Sequence, residues 1–384
     1  MEFDLPERAR HLQQITRKFV EEELIPLEAE ADWWDADELP EAIRRPLEEK
    51  ARALGLWLMD TPKEYGGAGF NQLELCVIWV ELYKAGILPN RDLAVVGPDV
   101  RILVHCNEQQ RERYLFPVIR GERRWCFAQT EPDAGTDPAS MKTRAVRDGN
   151  TYVLNGTKRF ITAARKADFA QVMAVTEPGK GARGITCFLV DMDTPGVLIT
   201  GEFQKMMGDR PCQISFENAR VPAENILGGL GRGFEFAQKW IMMGRLGQAA
   251  KALGVAERAV EMAARHAKSR VIKGEALADQ QAIQAMLADS LVETHATRLM
   301  LHDAARKMDA GHEMRNESYI VKLFGNEMAW RVLDRAIQIH GALGLTRALP
   351  LERWFLDIRS RRITEGASEV MRWVIARNYL REIK

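Results

Sequence analysis

Along residues 1–121 apolar side chains recur at the spacing of a helix. Leu12, Ile15 and Phe19, then Leu24 and Leu27, mark one stripe, and stretches at about 41–54, 71–86 and 108–120 keep the period between Pro and Gly breaks. From about 122 the period shortens. Tyr152-Val153-Leu154, Ile185 to Val190 and Gln213 to Phe216 read as short strands between turn residues, and a compact β domain is expected over 122–227. Asn155-Gly156 predicts a tight hairpin between Tyr152–Leu154 and Thr157–Thr162, because both residues tolerate positive φ. Beyond Gly233 the helical period returns over about 233–269, 276–310 and 313–342, with a shorter run over 367–382. An antiparallel four-helix bundle is expected over 228–384, so the chain reads as an α+β multidomain protein.

Two glycine-rich stretches interrupt these patterns. Pro62 to Gly69 reads as a turn or as a close approach of backbone to ligand. Leu227 to Gly233 misses the GxGxxG spacing and lacks a βαβ setting, so it reads as a domain linker rather than a nucleotide loop.

Charge and cysteine usage narrow the class. The 384 residues carry 54 Lys+Arg and 54 Asp+Glu, so no global field favours nucleic acid or an anionic membrane. Cys76, Cys106, Cys126, Cys187 and Cys212 are far apart, with no metal-ligand spacing, and are expected to be reduced, mostly buried thiols. The acidic start Met1-Glu2-Phe3-Asp4 and the lack of any apolar run near the ~18 residues that cross a bilayer point to a soluble, unprocessed, cytoplasmic protein.

Three segments carry candidate chemistry. In Ile363 to Met371 a carboxylate, Glu365, stands beside Gly366 just before an apolar-periodic run, with Ser368 placed to cap the helix and Gly366 letting backbone pass near a flat ligand. Glu365 is either an acidic residue set favourably at a helix start or a general base. In Phe127 to Asp137, a strand end at Thr130 is followed by Pro, Gly135 and Thr136, a loop that presents hydroxyls and free N–H groups suited to a flavin ring or a pyrophosphate. In Lys158 to Thr162, alternation predicts Phe160 and Thr162 on one side of a strand, a ring to stack on a heterocycle beside a hydroxyl.

Together Thr130-Glu131-Pro132, Gly135-Thr136-Asp137, the Lys158–Thr162 run and Glu365-Gly366 resemble the acyl-CoA dehydrogenase family. Tyr65 to Gly69, Val221-Pro222, Asn225 to Gly228, Gly231 to Phe234 and Gln338 to Gly341 follow in family order, and the likeness spans nearly the whole chain. The resemblance implies an N-terminal helical domain (1–121), a central β barrel (122–227) and a C-terminal four-helix bundle (228–384), with FAD between barrel and bundle. It implies flavin contacts from Phe127, Thr130, Gly135, Thr136, Phe160 and Thr162. Arg270, Gln281, Gln338 and Gly341 match positions around the diphosphate and adenosine, Arg270 reaching a neighbouring subunit, while Ser368 and Glu369 lie where the last helix start touches the cofactor. Thr136, Arg245 and Gly366 match substrate-side positions, and a homo-oligomer, dimer or tetramer, is implied.

Glu365 aligns with the family's base, which removes the α proton of an acyl-CoA while hydride leaves the β carbon for flavin N5, giving the trans-2-enoyl-CoA. By the same resemblance the Glu365 N–H and a cofactor hydroxyl hold the thioester carbonyl, and electrons pass to an electron-transfer flavoprotein. Some members carry the base before the arginine that corresponds to Arg245; here that position is Gly244. Arg245 is read as a support for carboxylate or substrate, or as an interhelical salt bridge. Ala342, Leu356, Lys273 and Ala367 depart from the family pattern and mark a divergent branch. A second reading keeps the fold but changes the acceptor to O2, as in an acyl-CoA oxidase or a flavin monooxygenase-like relative, whereas a DNA-binding scaffold fits poorly with zero net charge and a retained Glu365.

Overall fold

The computed structural model describes residues 4–29, 38–87, 94–206, 209–314 and 316–383. In chain order the first helices are α1 (Glu7–Phe19), α2 (Glu41–Ala53), α3 (Gln72–Leu82) and the short α4 (Glu108–Gln110) and α5 (Phe116–Ile119), the last two joined by a π turn. Eight strands follow: β1 (Trp125–Ala128), β2 (Arg144–Asp148), β3 (Thr151–Ile161), β4 (Phe169–Val175), β5 (Ile185–Asp191), β6 (Val197–Glu202), β7 (Cys212–Pro222) and β8 (Ile226–Leu227). The C-terminal part is α6 (Gly233–Ser269), a small β9–β10 hairpin (Val271–Ile272, Glu275–Ala276), α7 (Gln281–Asp309), α8 (Glu317–His340), α9 (Leu351–Arg361) and α10 (Ser368–Glu382). The three long helical runs and the shorter last one expected from periodicity are present. The segment α9 was not expected.

Two compact units emerge. A sheet unit comprises Asp60–Ala68 and Val96–Ile241, and a helical unit comprises Met1–Met59, Gly69–Val95 and Met242–Lys384.

In the sheet unit the strand order is β6-β7-β3-β2-β4-β5-β8, with β1 parallel to β4. The β4 and β5 runs are almost wholly apolar because both faces are buried. Alternate residues divide between two cores. Ala170, Val172, Ala174, Phe188 and Val190 face one, and Phe169, Met173, Ile185, Cys187 and Leu189 face the other with Leu103, Tyr114 and Val118. All five cysteines are buried and free.

Two local expectations fail here. Asn155-Gly156 is not a hairpin turn but lies inside the continuous strand β3, at a register shift against β7. The turn is Gly149-Asn150, joining the paired Asp148 and Thr151. Asn155 bonds across the sheet to Asn218, and Gly156 takes φ +147 beside Thr143, so pairing along β7 overrides the local preference for a turn. Nor does simple alternation hold over Lys158 to Thr162. Phe160 sits at φ +59 and the ladder shifts register between Lys158 and Ile161, which leaves Lys158 and Ile161 buried and Phe160 exposed.

In the helical unit α3 is buried on every side, all eleven residues of it. Its start is fixed twice, by the Asn71/Glu74 capping box and by Asp309, whose carboxylate accepts the Gln72 and Leu73 N–H groups at 2.7 and 3.0 Å. Among the described residues no helix is long and apolar enough to cross a membrane.

Candidate functional site

The helical unit places Glu365 in the turn between α9 and α10, with φ +56 at Glu365 and +109 at Gly366. A left-handed non-glycine residue costs on the order of 1 kcal/mol and persists only where the surroundings hold it. The surroundings are specific. Gln248 Nε2 donates to Glu365 Oε1 at 2.8 Å, while Gln248 Oε1 accepts from Arg361 Nη1. Arg361, almost fully buried, is fixed in turn by Asp357 at 2.9 Å. Because a guanidinium only donates, it dictates which end of the Gln248 amide meets the carboxylate. The result is a carboxylate with one oxygen bonded and the other, Oε2, buried with no hydrogen-bond partner among the described residues.

Gly244 lies one helical turn before Gln248 on the same face of α6. A Cβ built there would lie 2.7 Å from Glu365 Oε2, so glycine supplies the space the free oxygen occupies. Among the described residues Arg245 makes no interhelical salt bridge. Its guanidinium lies 4.1 Å over the Tyr319 ring and its Nε donates to the Glu365 carbonyl at 3.4 Å.

Gly244→Ala should therefore separate stability from reactivity. Alanine favours a helix interior by up to about 1 kcal/mol, and the atom it displaces is the flexible end of Glu365. The melting temperature should stay level or rise, while turnover falls on the order of 10–100-fold through a misplaced carboxylate. Parallel thermal melts and steady-state rates check both halves.

Ser368 does not cap α10. The cap position is Ala367, without a side-chain bond, and Ser368 is the buried first residue, its hydroxyl on Glu327; Glu369 is exposed. Arg270 follows the end of α6, Gln281 opens α7, and Gln338 and Gly341 end α8, all exposed. His266 and His340, with ring centroids 4.6 Å apart, hold the ends of α6 and α8 together.

The sheet unit gathers the other candidates. The Thr130 carbonyl accepts the Arg159 N–H at 2.8 Å, tying the loop after β1 to the end of β3. Beneath them Lys158, fully buried, donates to Glu131 at 2.8 Å and to the Gln129 carbonyl at 3.1 Å. Glu131 also accepts from the Lys142 and Thr143 N–H groups. Burial alone would raise the Glu131 carboxyl, but Lys158 and these bonds hold it below its ordinary value. Phe127 packs on Trp240 at 4.8 Å, Thr136 and Gly135 are exposed, Thr162 is half-buried just past β3, and Phe160 is 53% exposed.

The sequence matches three family descriptions end to end: acyl-CoA dehydrogenase, N-terminal domain, over residues 6–122; middle domain over 126–219; and C-terminal domain over 231–380. The chain belongs to the acyl-CoA dehydrogenase family. It is 37% identical to a 3-(aryl)acrylate reductase of Clostridium sporogenes, covering 96% of this chain and 98% of that one. It is 34% identical to the caffeyl-CoA reductase-Etf complex subunit CarC of Acetobacterium woodii, covering 96% and 97%. The solved butyryl-CoA dehydrogenase of Megasphaera elsdenii superposes with a TM-score of 0.86 at 32% identity, covering 99% of this chain and 100% of that one.

As an acyl-CoA dehydrogenase family oxidoreductase the protein has FAD as its cofactor. The residues present fit that group: Phe160 turns an aromatic ring outward from a left-handed backbone, the Thr136 hydroxyl is exposed, and the buried charge of Glu131 is matched by Lys158. Sequence reasoning missed Gln248, Lys322 and Arg361. Lys322 had a signal, a lysine inside the apolar run Ile320-Val321-Lys322-Leu323-Phe324.

Proposed function

We propose that the protein oxidises a short-chain acyl-CoA thioester to its trans-2-enoyl-CoA, with Glu365 as the base that takes the α proton. The observation that carries this reading is the Glu365 carboxylate, one oxygen held by Gln248 and the other free over Gly244. A base needs an unshared lone pair in a fixed place, and this arrangement supplies one. FAD when bound accepts the hydride equivalent from the β carbon. Thr130, Gly135, Thr136, Phe127, Phe160 and Thr162 would hold the flavin end, with Arg270, Gln281, Gln338, Gly341, Ser368 and Glu369 toward the rest of the cofactor. Thr136, Arg245 and Gly366 would face the substrate. Short acyl chains are favoured by the likeness to a butyryl-CoA dehydrogenase.

An electron-transfer flavoprotein is the proposed acceptor, supported by the similar subunit named for an Etf complex. A homo-oligomer is supported by Trp373 and Leu380, seven residues apart on α10 and exposed by 60% and 69%. A second reading runs the reaction backwards, reducing an enoyl or arylacryloyl thioester with protonated Glu365 as the donor. It is favoured by two similar proteins that are named reductases.

The test is anaerobic addition of butyryl-CoA to the purified flavoprotein. Stoichiometric bleaching is expected. A flavin that bleaches with no member of an acyl-CoA series would overturn the dehydrogenase reading.

A further inference from the structure

Under the Glu365 turn lies a buried cation to which the proposed chemistry assigns nothing. Lys322, on α8, is 1% exposed. It makes no salt bridge to a carboxylate among the described residues. Its Nζ donates instead to the carbonyl of Thr364, at 2.8 Å, and to that of Gly366. Arg245 donates to the carbonyl between them. Three successive carbonyl oxygens, those of residues 364, 365 and 366, are thus turned toward two cations.

A trans peptide points its C=O and N–H in opposite directions. Drawing the Thr364 carbonyl down to Lys322 therefore sends the Glu365 N–H out of the other side of the turn. No acceptor among the described residues takes that N–H. A donor left open at a fixed angle, one residue from the proposed base, is suited to an oxygen on which charge develops.

We infer that Lys322 is a positioning residue: by gripping the Thr364 and Gly366 carbonyls it aims the Glu365 N–H at the thioester oxygen and holds the left-handed turn that carries the base. This rests on the reading of Glu365 given above. Lys322 touches neither substrate nor reacting atoms and acts through the backbone.

The charge environment gives the device a pH dependence. Burial pushes the Lys322 ammonium down to about 8; Glu365 opposes that shift, and Arg245 on α6 and Arg361 on α9 add to it. As pH rises through about 8 the ammonium is lost and its grip on two carbonyls weakens, so the reductive rate falls. Stability moves the other way. With a folded value near 8 and an ordinary value of 10.5, the unfolded chain binds more protons in that window, so the contribution of this group to stability rises while the rate falls.

The experiment uses FAD-loaded Lys322→Met and Lys322→Arg, with bleaching by butyryl-CoA followed by stopped flow without oxygen. For Lys322→Met the limiting rate should fall on the order of 100-fold, as for loss of an oxyanion donor, with the half-saturating concentration changed less than about threefold. Lys322→Arg should recover about tenfold of that loss and abolish the wild-type decline above about pH 8, since guanidinium stays charged. A Lys322→Met rate within about threefold of wild type, or an alkaline decline unchanged in Lys322→Arg, overturns the inference. Should Lys322→Met not fold, the arginine variant and the wild-type pH profile decide. If Glu365→Gln is inactive while Lys322→Met is fully active, positioning fails and the base stands; if Glu365→Gln keeps its rate, the base reading itself fails.

Discussion

Glu365→Gln is expected to keep its fold and its flavin and to lose bleaching by acyl-CoA on the order of 10³-fold. The two side chains have the same shape, and the glutamine oxygen can still accept the bond from Gln248 Nε2 that Oε1 receives at 2.8 Å. The other end of the new amide falls where Oε2 now lies, over Gly244, and meets no added atom. What disappears is the lone pair of a carboxylate. Stopped-flow bleaching with butyryl-CoA, set beside the visible spectrum and a thermal melt, separates loss of a base from loss of structure. A variant that bleaches at the wild-type rate rejects Glu365 as the base.

Lys158→Met should produce the largest loss of stability. It strands a Glu131 carboxylate that is 5% exposed and leaves the Gln129 carbonyl without its donor. Removing one partner of a buried ion pair costs about 3–5 kcal/mol, a large share of the 5–15 kcal/mol that holds a typical domain together. The two segments that Lys158 bridges, after β1 and at the end of β3, also carry Thr130 and Phe160, so FAD should be lost as well. Urea denaturation and FAD content after gel filtration measure the two effects. Adding Glu131→Gln to Lys158→Met should restore part of the stability, because the stranded charge is then gone. No recovery would mean that packing, rather than the charge, sets the cost.

The three long C-terminal helices and the shorter last one were legible because apolar spacing repeats over many turns, and Glu365 stood out as a candidate because it sits beside a glycine just before such a run. By contrast α9 went unread although Leu351, Trp354 and Ile358 keep the helical period over a short span. Asn155-Gly156 misled because a turn preference is local, whereas β7, some sixty residues on, decides the pairing. Lys322, Gln248 and Arg361 acquire meaning only from partners 42, 117 and 113 residues away, and no short window holds both ends of such a bond.

The helical unit is assembled from three separated stretches of chain, and this sets an order for biosynthesis. The sheet unit is complete once residue 241 has left the ribosome, but the wholly buried α3 must await partners from the last third of the polypeptide, including Asp309 at its N-terminus. Throughout that interval α1 packs against one side of this apolar segment, and the side that α7 will cover stays open. Nascent chains stalled between residues 241 and 309 should accordingly be the ones that chaperones retain most firmly.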